Sequence, residues 1–303
     1  MKRLVVKSLL LIILPIIVVN VIILLMKDDY SLQSNEINAA LSYERLDSLR
    51  NDKKIVIIAG SNGSWGINSQ MLADSFHLPV VNTSTHAGIG IRMQFEMYKH
   101  FLKKDDIVLF CPEYYSGTNS LYGESTLLRI VSTLLPHEYL HFSLRQWIHT
   151  YKYIGIHLQE CIQHRGTKNM EGPYSAKAVN QFGDIGALRS YEDFDLSYVF
   201  KGKLDTETID YLKYVFSYSE ERGIKLIYLP PALMQRNYLD QEKQIDSLAA
   251  DMSNNGVPYF TETKRYMFPD SLFNNTPYHM TTEGAAIRTH RLVEDIKLYL
   301  ENK

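Results

Sequence analysis

The chain has 303 residues, enough for one large domain with appendages. Its 32 basic and 34 acidic side chains give a formal net charge of -2 at pH 7. This balance argues against a nucleic-acid partner, because such proteins present a strongly basic face. The chain is rich in tyrosine, which suits a sugar-binding surface but also fills protein cores and interfaces.

The N-terminal residues 1–27 predict a signal anchor. Residues 8–26 are apolar except for Ser8 and Asn20, and a helix needs about 20 such residues to cross the hydrocarbon core. A cleaved signal peptide is the alternative, although its apolar core is usually only about 7–15 residues long. Three basic residues precede the apolar stretch, so the positive-inside rule places the N-terminus in the cytoplasm and the rest of the chain outside.

Residues 28–53 are polar and predict a stalk that contains a short helix at 36–50. Apolar runs then alternate with amphipathic segments, which predicts a parallel sheet covered by helices on both faces. The fold class is therefore α/β, with three layers (α/β/α) and about five mostly parallel strands in a flavodoxin-like arrangement. The predicted strands are 55–59, 79–82, 107–112, 225–229 and 257–260, and the predicted helices are 68–76, 91–103, 206–222, 239–254 and 282–300.

Residues 121–198 interrupt this alternation with a mostly helical pattern. We expect them to be an insertion that caps the sheet edge or the site, within a domain spanning 54–303. Cys111 and Cys161 are too few for a disulfide framework. The ten histidines show no zinc-type spacing, so we expect neither a metal nor an organic cofactor.

A serine follows the first predicted strand in the turn Gly60-Ser61-Asn62. The active site of a parallel α/β fold lies at the carboxyl ends of its strands, so this turn is a candidate site. A serine hydroxyl becomes nucleophilic when an adjacent base takes its proton. His279, just before the last predicted helix, is the candidate base. The alternatives are a helix-capping serine and a surface histidine.

The stretches Gly60-Ser61-Asn62 and Tyr278-His279-Met280, the latter followed by Glu283-Gly284-Ala285, resemble the first and last blocks of the SGNH (GDSL-type) hydrolase superfamily. The similarity covers the order of elements over residues 54–303. It is greatest to the membrane-anchored branch associated with bacterial surface polysaccharides, whose members are esterases or O-acyltransferases. The resemblance implies that Ser61 is the nucleophile and His279 the general base. It also implies that the N–H groups of Ser61 and Gly88, with Gly90 as the second choice, form the oxyanion hole.

Two positions depart from the superfamily pattern. The aspartate expected three residues before the histidine is Thr276 here, and Asn275 lies one position earlier. An amide can hold a histidine tautomer but stabilises an imidazolium poorly. The asparagine expected after the third strand is replaced by Glu113 and Tyr114. Tyr114 could donate to the oxyanion, or Glu113 could supply the missing carboxylate.

Further polar residues belong to the same predicted loops. His86 is a candidate second base or substrate contact, and Tyr278 a candidate substrate contact. Asn82 either supports the oxyanion or satisfies local backbone groups. The polar turn at 180–184 lines the site or serves only as a turn, and turn chemistry is the plainer interpretation.

Three classes of function remain open. The first is an extracytoplasmic serine esterase or O-acetyltransferase that acts on a cell-envelope glycan or acylated carbohydrate, with a membrane acyl-donor protein as a partner in transfer. The second is a catalytically degenerate protein that binds a glycan or an export partner. A third is a stalked structural protein of an envelope complex. The feature that separates the first two is whether a carboxylate such as Glu113 or Asp270 reaches His279.

Overall fold

A four-stranded parallel sheet lies at the centre of the molecule, which confirms the predicted α/β class. The computed structural model describes residues 2–302, without the side chains of residues 2–6, 8–10, 12 and 24. The strands are β1 (Ile55–Ile58), β2 (Val80–Asn82), β3 (Ile107–Phe110) and β4 (Lys225–Tyr228), in the order β2-β1-β3-β4. A separate pair of short parallel strands is formed by β5 (Leu233–Met234) and β6 (Met267–Phe268).

Helices connect the strands, as the alternating pattern predicts. They are α1 (Lys2–Leu25), α2 (Asp29–Gln33), α3 (Asn38–Ser48), α4 (Ser61–Gly66), α5 (Ser69–Phe76), α6 (Ile91–Glu96), α7 (Thr118–Tyr122), α8 (Ser125–Leu134), α9 (Leu144–Thr150), α10 (Ile154–Gln163), α11 (Thr206–Glu221), α12 (Gln235–Asp240), α13 (Glu242–Asn254) and α14 (Thr282–Glu301). The predicted helix at 239–254 is thus divided between α12 and α13.

Both faces of the sheet are buried, because successive side chains of a strand point to opposite faces. On β1, Val56 and Ile58 pack into a core completed by α3, α6, α8, α11 and α13. Ile55 and Ile57 pack on the other side, against α5 and α14. This two-sided burial explains why the strands are continuous apolar runs rather than alternating ones.

The fifth predicted strand does not form. Val257 is buried, but the segment 257–260 makes a single backbone bond to β4, from the Phe260 N–H to the Tyr228 carbonyl at 2.6 Å. Pro258 has no backbone N–H to donate and is disfavoured inside a sheet, which accounts for the missing ladder.

The segment 28–53, predicted to be a stalk, packs into the domain. Ala39 and Leu46 on α3 are fully buried in the core. The Asn38 amide donates to the Asn82 carbonyl at 3.0 Å, at the end of β2. The domain therefore begins before residue 54, because this segment covers one face of the sheet.

Within the predicted signal anchor, residues 1–27, the segment Lys2–Leu25 forms α1, and many of its side chains lie outside the described residues. In the part of the chain that the structure describes, no helix combines the length and apolarity needed to cross a membrane. The end of α1 contacts the domain. The Asn20 amide donates to the Tyr151 hydroxyl at 2.7 Å, and the Lys27 ammonium donates to the Ser132 carbonyl at 2.8 Å.

The insertion has two parts. Its first part is helical, from α8 to α10, and packs beside the N-terminal segment and α6. Its second part, from residue 164 onward, is mostly irregular, with a short 3-10 turn at Ala176–Ala178. This irregular part brings Tyr174 against the site and Arg189 against the base of α14.

Candidate active site

A cavity of about 490 Å³ lies where the loops after β1, β2 and β3 meet. Ser61 comes from the first loop and His279 from the segment before α14, so residues from the two ends of the domain share one cavity. Its position agrees with the rule that ligands bind at the carboxyl ends of parallel strands. Of the remaining predicted residues, those that line the cavity are His86, Gly88, Glu113, Tyr114, Thr276 and Tyr278, and those that do not are Asn82, Gly90 and Asn275.

Ser61 is the first residue of α4, directly after β1. Gly60 precedes it in an extended conformation, and a Cβ atom at residue 60 would lie only 2.2 Å from Oε2 of Glu113. A side chain at residue 60 would therefore displace the Glu113 carboxylate from its bond with the Asn62 N–H. The Ser61 hydroxyl is partly exposed to the cavity and has no hydrogen-bond partner in the described part of the chain.

Asn62 fixes the turn that carries Ser61. Its backbone N–H donates to Oε1 of Glu113 at 3.1 Å, and its amide donates to the Cys111 carbonyl at 2.9 Å. Its two oxygens accept from the Arg288 guanidinium at 2.5 and 2.9 Å. Sequence reasoning missed Arg288, a fully buried residue of α14. The available signal was a charged residue on the apolar face of that helix, three positions after Ala285 and four before Leu292.

The His279 ring is held from its Nδ1 side. Nδ1 lies 3.0 Å from Oδ1 of Asn275 and 3.4 Å from the Tyr174 hydroxyl, and the Asn275 amide donates to that hydroxyl at 3.0 Å. An amide oxygen only accepts hydrogen bonds, so Nδ1 carries the proton and Nε2 keeps a free lone pair. Asn275 therefore holds the tautomer that a general base requires.

Trp65 links His279 to the helix that carries Ser61. Trp65 stacks on the imidazole with ring centroids 4.2 Å apart and planes inclined by 9°. Trp65 follows Ser61 by four residues on α4, so both lie on the same side of that helix. Trp65 and Tyr174 were not anticipated from sequence, because each reaches His279 through tertiary contacts that no local pattern encodes.

Burial makes the His279 imidazole difficult to protonate. Desolvation lowers its pKa to about 3, and the nearby His86 and Arg189 act in the same direction. No carboxylate among the described residues bonds the ring, so nothing counteracts the burial. His279 is therefore neutral at pH 7 and able to accept a proton, but the imidazolium it forms has little stabilisation.

Neither carboxylate considered from sequence contacts His279. Oε1 of Glu113 accepts the Asn62 N–H, and Oε2 is buried without a partner among the described residues. Asp270 accepts the Arg236 backbone N–H at 3.0 Å. The third member of the site is thus the amide of Asn275.

The glycines assigned to the oxyanion hole have their N–H groups engaged. The Gly88 N–H donates to Nδ1 of His86 at 2.9 Å, and the Gly90 N–H donates to the Ala87 carbonyl at 2.9 Å. An oxyanion can use the Gly88 N–H only if the His86 ring moves. The Ser61 N–H has no acceptor within the described part of the chain and is the donor already free.

Two other predicted residues, Asn82 and Tyr114, form hydrogen bonds that hold the loops around the site in place. The Asn82 amide donates to the Gly63 carbonyl at 3.1 Å and to Oδ1 of Asp184 at 2.8 Å, so it braces α4 from below. The polar turn of the insertion consequently supports the site without lining the cavity. The Tyr114 N–H donates to the Tyr278 hydroxyl at 3.3 Å, and burial raises the pKa of both phenols.

The far end of the cavity is polar and charged. Glu36 accepts two bonds from the Arg129 guanidinium, at 2.5 and 3.1 Å, and a second carboxylate, Glu160, lies 3.2 Å from it. The ring of Tyr30 lies against the same guanidinium. Tyr30 and Glu36 belong to the segment interpreted from sequence as a stalk, which explains why they were not considered as site residues.

Comparisons of the chain with protein-family models, with curated proteins and with solved structures found no match. In the described residues, no group of three or more histidine, cysteine, aspartate or glutamate side chains is placed to hold a metal ion. What the fold and the cavity define is a serine–histidine–asparagine arrangement at the carboxyl edge of a parallel sheet.

Proposed function

We propose that this chain is an acyl-transfer enzyme in which Ser61 is the nucleophile and His279 the general base. One observation carries the proposal. Ser61 and His279 line the same cavity, and Asn275 holds His279 so that Nε2 is free to accept a proton. The resemblance of both sequence blocks to SGNH hydrolases supports the same assignment.

The reaction has two halves. The Ser61 hydroxyl attacks the carbonyl carbon of an ester, and its proton passes to Nε2 of His279. The Ser61 N–H faces the developing oxyanion. The alcohol then leaves with the proton from the imidazolium, and the acyl group stays on Ser61. In the second half, His279 takes a proton from water or a sugar hydroxyl, that oxygen attacks the acyl-serine, and the proton returns to the Ser61 oxygen.

The asparagine makes this a weaker base system than one with aspartate. An amide orients the imidazole but does not stabilise its positive charge. We therefore expect turnover to be slower than in an enzyme with a Ser-His-Asp triad. Cysteine enzymes that use a Cys-His-Asn arrangement show that an amide is compatible with acyl transfer.

The proposed substrate is a glycan or acylated carbohydrate of the cell envelope. We propose that the apolar residues 8–26 form a single-pass anchor that places the domain outside the cytoplasm. If the enzyme transfers an acyl group to a sugar rather than hydrolysing an ester, a membrane protein would have to supply the acyl donor. Tyr30, Tyr174 and Tyr198 line the cavity, and their rings suit the apolar faces of a sugar.

A fluorophosphonate probe tests the nucleophile. The full chain, in detergent, is incubated with the probe, and intact mass with a peptide map locates the adduct. We expect one adduct on Ser61, absent in Ser61→Ala and His279→Ala. Ser116→Ala is the matched control, because Ser116 lies in the same cavity and its loss should leave the adduct intact. A folded wild-type chain that stays unmodified would overturn the proposed dyad.

A binding protein without turnover is the second candidate. It is favoured by the absence of any carboxylate bonded to His279 in the described residues and by the low pKa of that ring. It would show no adduct, yet it would bind an acylated oligosaccharide in calorimetry with an affinity that Ser61→Ala leaves unchanged.

A further inference from the structure

An apolar surface of the insertion is exposed without a partner. Leu144 and Ile148 are 76% and 59% exposed and lie four residues apart on α9, so they share one side of the helix. Leu140, in the preceding 3-10 helix, is 87% exposed. We call these three residues the α9 face. Leu144 and Ile148 are neighbours on their helix, and large exposed apolar side chains that form a patch mark an interaction surface.

The α9 face adjoins α1. Tyr151 follows Ile148 by three residues, and its hydroxyl accepts the bond from the Asn20 amide of α1 at 2.7 Å. A second contact lies nearer the end of the apolar stretch, where the Cys161 thiol of α10 is 3.9 Å from the Met26 carbonyl. The end of the apolar stretch therefore contacts Tyr151, directly after α9, and Cys161 of α10, while α1 itself packs against α8.

Beyond this contact, α1 is exposed and apolar. Its large side chains that are at least two-fifths exposed are Leu11, Ile13, Leu14, Ile16, Ile17, Val18, Val21, Ile22 and Leu25. Asn20 is the polar exception within this stretch, and its amide donates to the Ile16 carbonyl at 2.8 Å and to the Tyr151 hydroxyl at 2.7 Å, which satisfies both of its donors in an apolar environment. The exposed side chains of α1 and the α9 face thus meet at Asn20.

We propose that the α9 face is inserted into the interfacial layer of the membrane beside α1, so that the insertion rests on lipid. Asn20 lies about 8 Å before Leu25 along the helix, at a rise of 1.5 Å per residue. An interfacial helix is buried to about 5–10 Å, so Tyr151 and the α9 face lie at a matching depth. Stacked Tyr139 and Trp147 stand behind the face, as aromatic residues do at membrane interfaces.

This placement also locates the cavity. Tyr30 and Glu36, which line it, come five and eleven residues after Leu25 at the end of α1. The cavity wall is therefore close to the lipid surface, where an acyl donor or a glycan acceptor held in the membrane could reach Ser61. This inference rests on the anchor of the proposed function and is separate from the chemistry of Ser61.

Spin labels on the full chain in phosphatidylcholine–phosphatidylglycerol vesicles test the placement. Leu144→Cys and Ile148→Cys carry a nitroxide, and collision rates with oxygen and with a water-soluble nickel chelate are compared. Leu298→Cys is the matched control, since it is half exposed on α14, which packs on the opposite face of the sheet. The native cysteines are both buried, and the unsubstituted chain measures their background labelling.

We expect oxygen-to-nickel collision ratios several-fold higher at residues 144 and 148 than at residue 298. Equal ratios at all three positions would overturn the inference, and so would spin–spin broadening from a second copy or shielding from both reagents by a partner protein. Ile17→Cys on α1 separates the two proposals. A low oxygen-to-nickel collision ratio at residue 17 would mean that this part of α1 is in water, which would contradict the proposed anchor. A high collision ratio at residue 17, together with low ratios at residues 144 and 148, would support the anchor but contradict the insertion of the α9 face into the membrane.

Discussion

His279 enters the proposed reaction as a neutral base whose conjugate acid has no counter-charge. Asn275 fills the place of the usual carboxylate, with Oδ1 3.0 Å from Nδ1. The substitution Asn275→Asp keeps this shape and adds a negative charge. Because a carboxylate favours the imidazolium, we expect the pKa of His279 to rise and the rate of adduct formation on Ser61 at pH 7 to increase roughly tenfold or more, since one pKa unit corresponds to about 1.4 kcal/mol of stabilisation of the charged ring.

The control for this prediction is Asn275→Leu, which keeps the volume but removes the acceptor. We expect that variant to react more slowly than the wild type, because the ring loses its fixed tautomer. The pseudo-first-order rate of phosphonylation, followed by intact mass from pH 5 to pH 8, measures both variants. An Asn275→Asp rate equal to that of the wild type would show that Asn275 does not act on the base.

The low pKa of His279 also predicts how stability changes with pH. The unfolded chain takes up a proton at this residue near pH 6.5, whereas the folded chain does so only near its pKa of about 3. Stability from this group is therefore complete above pH 6.5 and is lost as the pH falls from 6.5 toward 3. Between pH 7 and pH 5 the loss is about 2 kcal/mol.

Denaturant unfolding of His279→Gln at pH 7 and pH 5 measures this contribution. We expect the variant to lose about 2 kcal/mol less stability over that interval than the wild type. His290→Gln is the control, because His290 is exposed on α14 and its replacement should leave the pH dependence unchanged. His157 is buried as well, with a pKa lowered by burial to about 4, so part of the wild-type loss should persist in His279→Gln. An unchanged slope in His279→Gln would contradict the buried neutral state of this ring.

At the scale of elements, α14 and α4 form one unit through Arg288 and Asn62. The guanidinium is fully buried and satisfies two oxygens of Asn62, next to Ser61. We expect Arg288→Leu to cost about 2–5 kcal/mol of unfolding free energy, because both Asn62 acceptors lose their partner. It should also abolish phosphonylation of Ser61, since the turn is no longer fixed.

The matched substitution is Arg291→Leu, three residues further along α14. Arg291 is only partly buried and donates to the Arg265 carbonyl, away from α4. We expect a cost within about 1 kcal/mol and a normal Ser61 adduct. Urea melts and intact mass on the two variants provide the comparison. Similar losses in both would mean that α14 is stabilised generally and does not anchor the Ser61 turn through Arg288.

The elements of this fold were more readily predicted from sequence than the contacts of its site. The runs at β1, β2, β3 and β4 are short, apolar and followed by amphipathic periodicity, and each local signal agrees with the tertiary outcome. The run at 257–260 is also apolar, but Pro258 lacks the donor that a ladder needs. Ser61 and His279 were predicted as a pair from the loop after the first strand and from the resemblance of two sequence blocks, whereas Trp65 and Tyr174 reach His279 through packing between distant segments.

At the scale of the whole molecule, the N-terminal segment is a structural part of the domain and a wall of its cavity. The polar composition of residues 28–53 predicted a stalk. In the structure, the fully buried apolar residues of α3 are Ala39 and Leu46. Buried polar groups provide the rest of the attachment, through Asn38 and the Glu36–Arg129 pair. Composition alone does not distinguish a solvated polar segment from one whose polar groups are paired inside the fold.

We therefore expect Leu46→Ala to destabilise the domain by about 2–5 kcal/mol, through the lost transfer energy and the cavity that remains. Leu32→Ala in the same segment should cost little, because Leu32 is 42% exposed.

Chains that begin at Asp28 and at Lys54 extend the test: the first should unfold cooperatively in a circular-dichroism melt, and the second should lose that transition and its Ser61 adduct. A chain from Lys54 that melts like the longer one would show that the sheet stands without this segment. The contribution of the segment would then be limited to the part of the cavity wall formed by Tyr30, Asn35 and Glu36.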